Sequence, residues 1–259
     1  MSDNSERSLI DPEILETEIK AFQAASAWLV TAINSAIAAK GSCVLVLAGG
    51  NSVNSVMRLA LQDDVNWSHV QLVLADERCV PVGHTDRNDV ALSALVESAS
   101  LQHRPVVHGI SAELGPLLGA EKLSTQLAII GQPDIALLGV ADDGHIASQA
   151  EKLSAQLAII GQPDIALLGV ADDGHIASLF PDSPALSTTE AVVAVVNCVK
   201  APRERVSCSL KYLTSATYRI AVQTGHNKRD IFVRLQQGER LPLALFSPTH
   251  WFMDYNATR

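Results

Sequence analysis

The chain has 259 residues, 47% of them apolar, which is material for one large α/β domain or two small ones and excludes an unfolded chain. Its 19 Lys and Arg against 28 Asp and Glu give a formal net charge of -9, so a duplex-DNA binder working through a broad basic face is also excluded. The four cysteines, Cys43, Cys79, Cys198 and Cys208, form no C-x-x-C pair and suggest reduced thiols in a cytoplasmic protein, and the polar start MSDNSERSL lacks a secretory pattern.

Asp11-Pro12 reads as an N-cap and N1 pair. Leu15, Ile19, Phe22, Leu29, Ile33 and Ile37 then follow at helical spacing until Gly41, which predicts one long amphipathic helix. Ser26, Thr31, Asn34 and Ser35 interrupt its apolar run, so it is read as a surface helix and no membrane span is expected. Residues 43–47 are a short apolar run bounded by glycines. They lead through a Gly-Gly turn into residues 52–61, where Val53, Met57 and Leu61 keep helical spacing. Residues 70–74 predict a second buried strand ending in Asp76-Glu77-Arg78, and residues 88–98 a helix.

Two apolar runs, 135–140 and 165–170, predict strands, each after a helix-like stretch and before Asp-Asp-Gly-His. They lie in two near-identical segments, 120–148 and 150–178, which differ only at Thr125 and Ala155. Solenoid repeats diverge and need several copies to bury a continuous core, so this pair reads as a tandem duplication inside a single domain spanning 1–259. Only the second segment runs on into Leu179-Phe180-Pro181. Residues 191–196 and 219–222 are further strand candidates and 228–237 a helix. Strands alternating with helices predict an α/β fold, a mostly parallel sheet with helices on both faces, whose ligands bind beyond the carboxyl ends of the strands.

Three post-strand segments therefore stand out. Gly49-Gly50-Asn51-Ser52 opens a helix and can offer backbone N–H groups and the positive helix end to a phosphate, or simply be a tight turn capped by Ser52. It matches neither a Walker loop nor G-x-G-x-x-G. Arg78 presents a planar fork to an anion, or a salt bridge to Asp76, Glu77 or Asp86. His175 follows Asp172, Asp173 and Gly174, so a carboxylate can orient the imidazole as a general base, and without a second His or Cys at ligand spacing a metal site ranks below this. Lys200, Arg203 and Arg205 cluster basic charge in an acidic chain.

Together these residues resemble the 6-phosphogluconolactonase family. The resemblance runs through Ala48-Gly-Gly-Asn-Ser-Val53, Asp76-Glu-Arg-Cys-Val-Pro81 and Leu167-Leu-Gly-Val-Ala-Asp-Asp-Gly-His-Ile-Ala-Ser-Leu-Phe-Pro181. It continues through His84 and Asn88, residues 200–207, Lys228, Leu241-Pro242, Trp251 and Asp254. It implies a Rossmann-like fold and hydrolysis of 6-phosphogluconolactone to 6-phosphogluconate in the pentose phosphate pathway, without metal or cofactor. It also implies His175 as the base with Asp173 beside it and Asp76 shaping the sugar site. Gly49, Gly50, Asn51, Ser52, Arg78, Lys200, Arg205 and Lys228 would hold the sugar phosphate. The chain departs from the family pattern at Ala48, Asn51, Ser52 and Val53, which costs the first loop two hydroxyls and a proline, and Arg87 stands where a Ser precedes the Asn. The expected partner is a small sugar phosphate, with no nucleic acid and no membrane. The competing readings are an isomerase or deaminase on the same fold and a non-catalytic sugar-phosphate sensor.

Overall fold

The computed structural model describes residues 9–130 and 161–259. The continuous apolar runs become interior strands: Cys43–Leu47 (β2), Val70–Leu74 (β3) and Ile165–Gly169 (β6) are buried along nearly their whole length, as parallel strands inside a covered sheet must be. Glu13–Leu15 (β1), Val106–His108 (β5), Tyr218–Gln223 (β9) and His250–Asp254 (β10) join them. Among the described residues the sheet has seven strands in the order β1-β10-β9-β6-β2-β3-β5, and each pairing in it is parallel. Asp76–Arg78 (β4), Val192–Val195 (β7) and Arg205–Cys208 (β8) make a separate antiparallel sheet in the order β4-β8-β7. The amide of Cys208 donates to the carbonyl of Ala75 at 2.7 Å, which stands this small sheet at the carboxyl end of β3.

The described α-helices are Glu18–Lys40 (α1), Asn51–Ala60 (α2), Asn88–Ser98 (α3), Pro116–Ile129 (α4), Leu210–Thr214 (α5), Arg229–Gln236 (α6) and Pro242–Phe246 (α7). The α/β fold with a mostly parallel sheet is thus as expected. The long first helix is not: it starts at Glu18, capped by the Thr17 side chain on the amide of Lys20, and Glu13–Leu15 ahead of it pairs with β10 as an edge strand. The apolar spacing of Leu15 and Ile19 spans that boundary because Leu15 faces the core from a strand and not from the helix. The α1 face carrying Ala21, Ala25, Leu29, Ala32 and Ile33 is buried, and the helix packs on β10, β9 and α2. Likewise α2 is capped at Gly50 and not at Ser52, whose hydroxyl lies 3.3 Å from that of Thr224. The strand expected at 135–140, and His145 beyond it, lie outside the described residues. Residues 120–130 of the first near-identical segment supply most of α4, and residues 161–178 of the second supply β6 and the loop after it. Between them they account for one complete segment.

Topology decides where a ligand can enter. From β2 the chain passes through α2 to β3 on one flank, while β6 pairs on the other flank and is followed outward by β9 and β10. The connections leave in opposite directions, so a crevice opens where the carboxyl ends of β2 and β6 lie side by side. The core beneath includes Leu45, Leu72, Leu167, Ile220 and Phe252. Leu45→Ala, at a fully buried position in the central strand, is expected to cost about 2–5 kcal/mol of unfolding free energy, read from urea denaturation.

Candidate active site

The loop after β2 is tied down on both sides: the amide of Ala48 donates to Leu167 O at 3.1 Å, and that of Ala75 to Leu47 O at 2.8 Å. Gly50 adopts φ 106°, a conformation that side chains rarely take, and so turns the chain straight into α2. The first amides of α2 consequently lie at the crevice, and none of the acidic residues that usually neutralise a helix start is present there. Gly49 is forced by proximity instead. A Cβ on it would meet Asn88 Oδ1 at 2.0 Å, and Asn88 is held in place by donating from Nδ2 to Asp76 O at 2.8 Å.

The Asp-Glu-Arg segment divides its three side chains. Asp76 is only 4% exposed, and its Oδ2 accepts from the Ser178 hydroxyl at 2.6 Å. Glu77 turns away from the crevice, fully buried, and caps α3 by accepting from the amides of Asn88 at 2.8 Å and Asp89 at 2.9 Å, as well as from that of Arg78 at 2.8 Å. Burial pushes its carboxyl up, against the pull of those three amides. Arg87 sits behind it and binds Asp89 at 2.7 Å and Glu113 at 3.2 Å, with further bonds to the carbonyls of Val80 and Ile110. Arg87 is therefore a structural hub. Arg78 forms no ion pair with Asp76, Glu77 or Asp86: it donates to the Asp86 carbonyl, and its buried Nε has no partner among the described residues.

After β6, Gly174 at φ 88° closes a turn in which the Ala171 amide donates to His175 O. The imidazole Nδ1 lies 2.5 Å from Asp173 Oδ1, and the ring stacks on Phe180 with 4.3 Å between centroids. Burial lowers the His175 pKa against the opposing pull of Asp173, which leaves the imidazole neutral at pH 7. Asp173 is pushed up by burial but pulled further down by His175 and Lys200, so it is a carboxylate. An ionised acceptor on Nδ1 puts the proton there and leaves the Nε2 lone pair free.

Arg205, on β8, is buried and donates to the carbonyls of Pro202, Lys200 and Ala201 and, at 3.4 Å, to the Ser178 hydroxyl, with its Cζ 5.5 Å from the centroid of the Phe180 ring. Lys228 donates to Val170 O, and burial lowers its pKa. A cavity of about 170 Å³ is lined by Gly49, Gly50, Asn51, Ser52, Asp76, Arg78, His175, Arg205 and Lys228. Two further expected residues stand elsewhere: Asp173 lies behind His175, and Lys200 is engaged by Asp172 and Asp173. Ser178 was not expected at the site, although it falls in the same motif as His175; nor was the packing of Asn88 on Gly49. A larger hollow, about 820 Å³, opens by the carboxyl ends of α2 and α3 and holds none of the expected residues. Among the described residues, no three His, Cys, Asp or Glu side chains gather as a metal centre would require.

Comparison with known proteins bears on this arrangement. Residues 16–152 and 149–254 match the family described as glucosamine-6-phosphate isomerases/6-phosphogluconolactonase, in two pieces that meet within the near-identical segments. A protein named 6-phosphogluconolactonase from Neisseria meningitidis is 31% identical over 239 residues, covering 86% of this chain and 87% of its own. One of the same name from Mycobacterium tuberculosis is 33% identical over 223 residues, covering 80% and 78%. The crystal structure of 6-phosphogluconolactonase from Thermotoga maritima, 21% identical, shares the fold with a TM-score of 0.72 over 93% of this chain and 98% of that one.

The contact between Gly49 and Asn88 gives a test of the loop. Gly49→Ala is expected to lose about 1–3 kcal/mol of stability through overpacking against a side chain that cannot withdraw, read as a lowered urea midpoint. An unchanged midpoint would show that Asn88 yields freely.

Proposed function

This chain belongs to the glucosamine-6-phosphate isomerase/6-phosphogluconolactonase family, and on that premise we propose that it hydrolyses 6-phospho-D-glucono-1,5-lactone to 6-phosphogluconate, as a cytoplasmic enzyme of the pentose phosphate pathway. One observation carries the reading: a neutral imidazole, backed by a carboxylate on Nδ1, shares a small crevice with three cations, Arg78, Arg205 and Lys228. That is the equipment for adding water to an ester on an anionic sugar.

In the proposed reaction His175 Nε2 takes a proton from water as the oxygen attacks the lactone carbonyl. Asp173 keeps Nδ1 protonated and stabilises the imidazolium that forms. The tetrahedral intermediate collapses with cleavage of the ring C–O bond. His175 returns its proton to the departing ring oxygen, and the acid product loses its own proton to solvent. The phosphate is held by Arg78, Arg205, Lys228 and the start of α2, where the amides beside Gly49, Gly50, Asn51 and Ser52 meet a helix end that favours an anion. Asp76, fixed by Ser178 and Asn88, bounds the sugar side of the cavity. Asn51 and Ser52 retain polar side chains in the loop, so its departures from the family pattern are expected to weaken affinity before turnover.

We also read the near-identical segments as a tandem duplication within one lactonase-like domain, with His175 in the working position. The test is hydrolysis of freshly generated lactone above its spontaneous rate. His175→Ala is expected to lose about 10²–10⁴-fold in kcat and His145→Ala to lose nothing. Binding without turnover in the intact chain would instead favour a sensor. kcat/KM is expected to fall on acidification through a midpoint below 6.5, the ordinary imidazole value, because burial favours the neutral ring. Deleting residues 131–160 joins Ile130 to Gly161 as Ile160 is joined to it now; the shortened chain is expected to keep the activity and to aggregate at a higher temperature than the intact one.

A further inference from the structure

Lys200 falls in the part of the sequence expected to bind substrate, yet it does not line the cavity. Its Nζ is 2.5 Å from Asp172 Oδ1 and 3.2 Å from Asp173 Oδ2, while the other oxygen of Asp173 is the one 2.5 Å from His175 Nδ1. The groups therefore stand in the order ammonium, carboxylate, imidazole, cavity. The segment that carries Lys200 also delivers Arg205, whose Nη2 donates to the Lys200 carbonyl at 3.3 Å. One short stretch of chain thus sends one cation into the crevice and another behind the base.

We propose that Lys200 is a positioning residue for the base, holding Asp173 in the orientation that meets His175 and moderating the basicity of the imidazole, and that it does not bind the substrate phosphate. This rests on the reading of His175 as the group that takes a proton from water. A carboxylate shared between an ammonium and an imidazole stabilises the imidazolium less than an unshared one does, and the ammonium itself repels the second positive charge. Asp173 draws the His175 pKa up and Lys200 draws it down. The other charged groups around the ring are Asp76 and Arg78 on β4, Arg205 on β8, Lys228 ahead of α6 and, in the same turn, Asp172, which loses its own ion pair when Lys200 is changed. The Lys200 side chain is 40% exposed and that of Asp173 31%, so the pair adds little to stability and its effect falls on proton transfer.

The test compares Lys200→Met and Lys200→Arg with the unchanged chain by three measurements: an NMR titration of the His175 ring, assigned with His175→Asn; the pH dependence of kcat/KM; and KM for the lactone. In Lys200→Met the His175 titration and the acid limb of the rate profile are expected to move together to higher pH, by about 0.5–1 unit. KM should stay within about twofold, as for a group without a substrate contact, and Lys200→Arg should restore the original midpoint. A KM raised tenfold or more with an unmoved His175 titration would overturn the proposal and return Lys200 to the phosphate site. An unmoved titration with unchanged KM would overturn it too. A shifted titration in a chain that does not hydrolyse the lactone would support the coupling of Lys200 to His175 and defeat the hydrolytic reading alone.

Discussion

The parallel pairing of β2 with β6 is the constraint from which the rest follows. Both strands are buried, β6 runs two residues past the end of β2, and the connections that follow them diverge. Their carboxyl ends are therefore left without a covering crossover. The loop after β2 brings backbone amides and a helix end to that gap, and the loop after β6 brings an imidazole. Had β6 paired outside β3 instead, the glycine turn and His175 would lie at separate places along the sheet and no common cavity would form.

Around that crevice the polar groups are arranged in depth. At the rim the imidazole and three cations face the cavity. Behind them Asp173 fixes the imidazole, Ser178 and Asn88 fix Asp76, and Glu77 and Arg87 lie deeper still, joining β4 to the start of α3. The buried carboxylates are satisfied by amides, hydroxyls or a guanidinium, as burial of charge requires. This explains how a chain with net charge -9 can present a cation-rich cavity: Asp76 alone of the nearby acids lines it among the described residues, and Asp173 and Glu77 point backward, toward the base and the scaffold.

Much of this was legible in the sequence, for identifiable reasons. The runs at residues 43–47, 70–74 and 165–169 are continuously apolar because their strands are covered on both faces, and each ends in polar residues that turned out to meet in space. Strands β1 and β5 carried no such signal. They are three residues long and lie at the sheet's edges, and β1 was absorbed into the periodicity of the helix after it. β10 mixes His250, Met253 and Asp254 with aromatics, and so reads as a tail motif rather than a strand. The residues facing the cavity were found because their chemistry is visible as letters. Asn88 and Ser178 went unassigned because their roles depend on distances across the fold. Lys200 was assigned by its charge, and only the geometry shows that this charge is already engaged by Asp172 and Asp173.

Asp76 has a consequence beyond shape. It is a buried side chain at the wall of the cavity, clamped so that it cannot swing away from whatever occupies the cavity. In the proposed hydrolysis the lactone enters neutral at its carbonyl carbon and leaves with a new carboxylate there. A carboxylate in that wall would tolerate the first and repel the second, in opposition to the cations that hold the phosphate. In that reaction the acid proposed to bound the sugar would also favour clearance of the cavity, so that the charge created by each turnover would help to vacate the site.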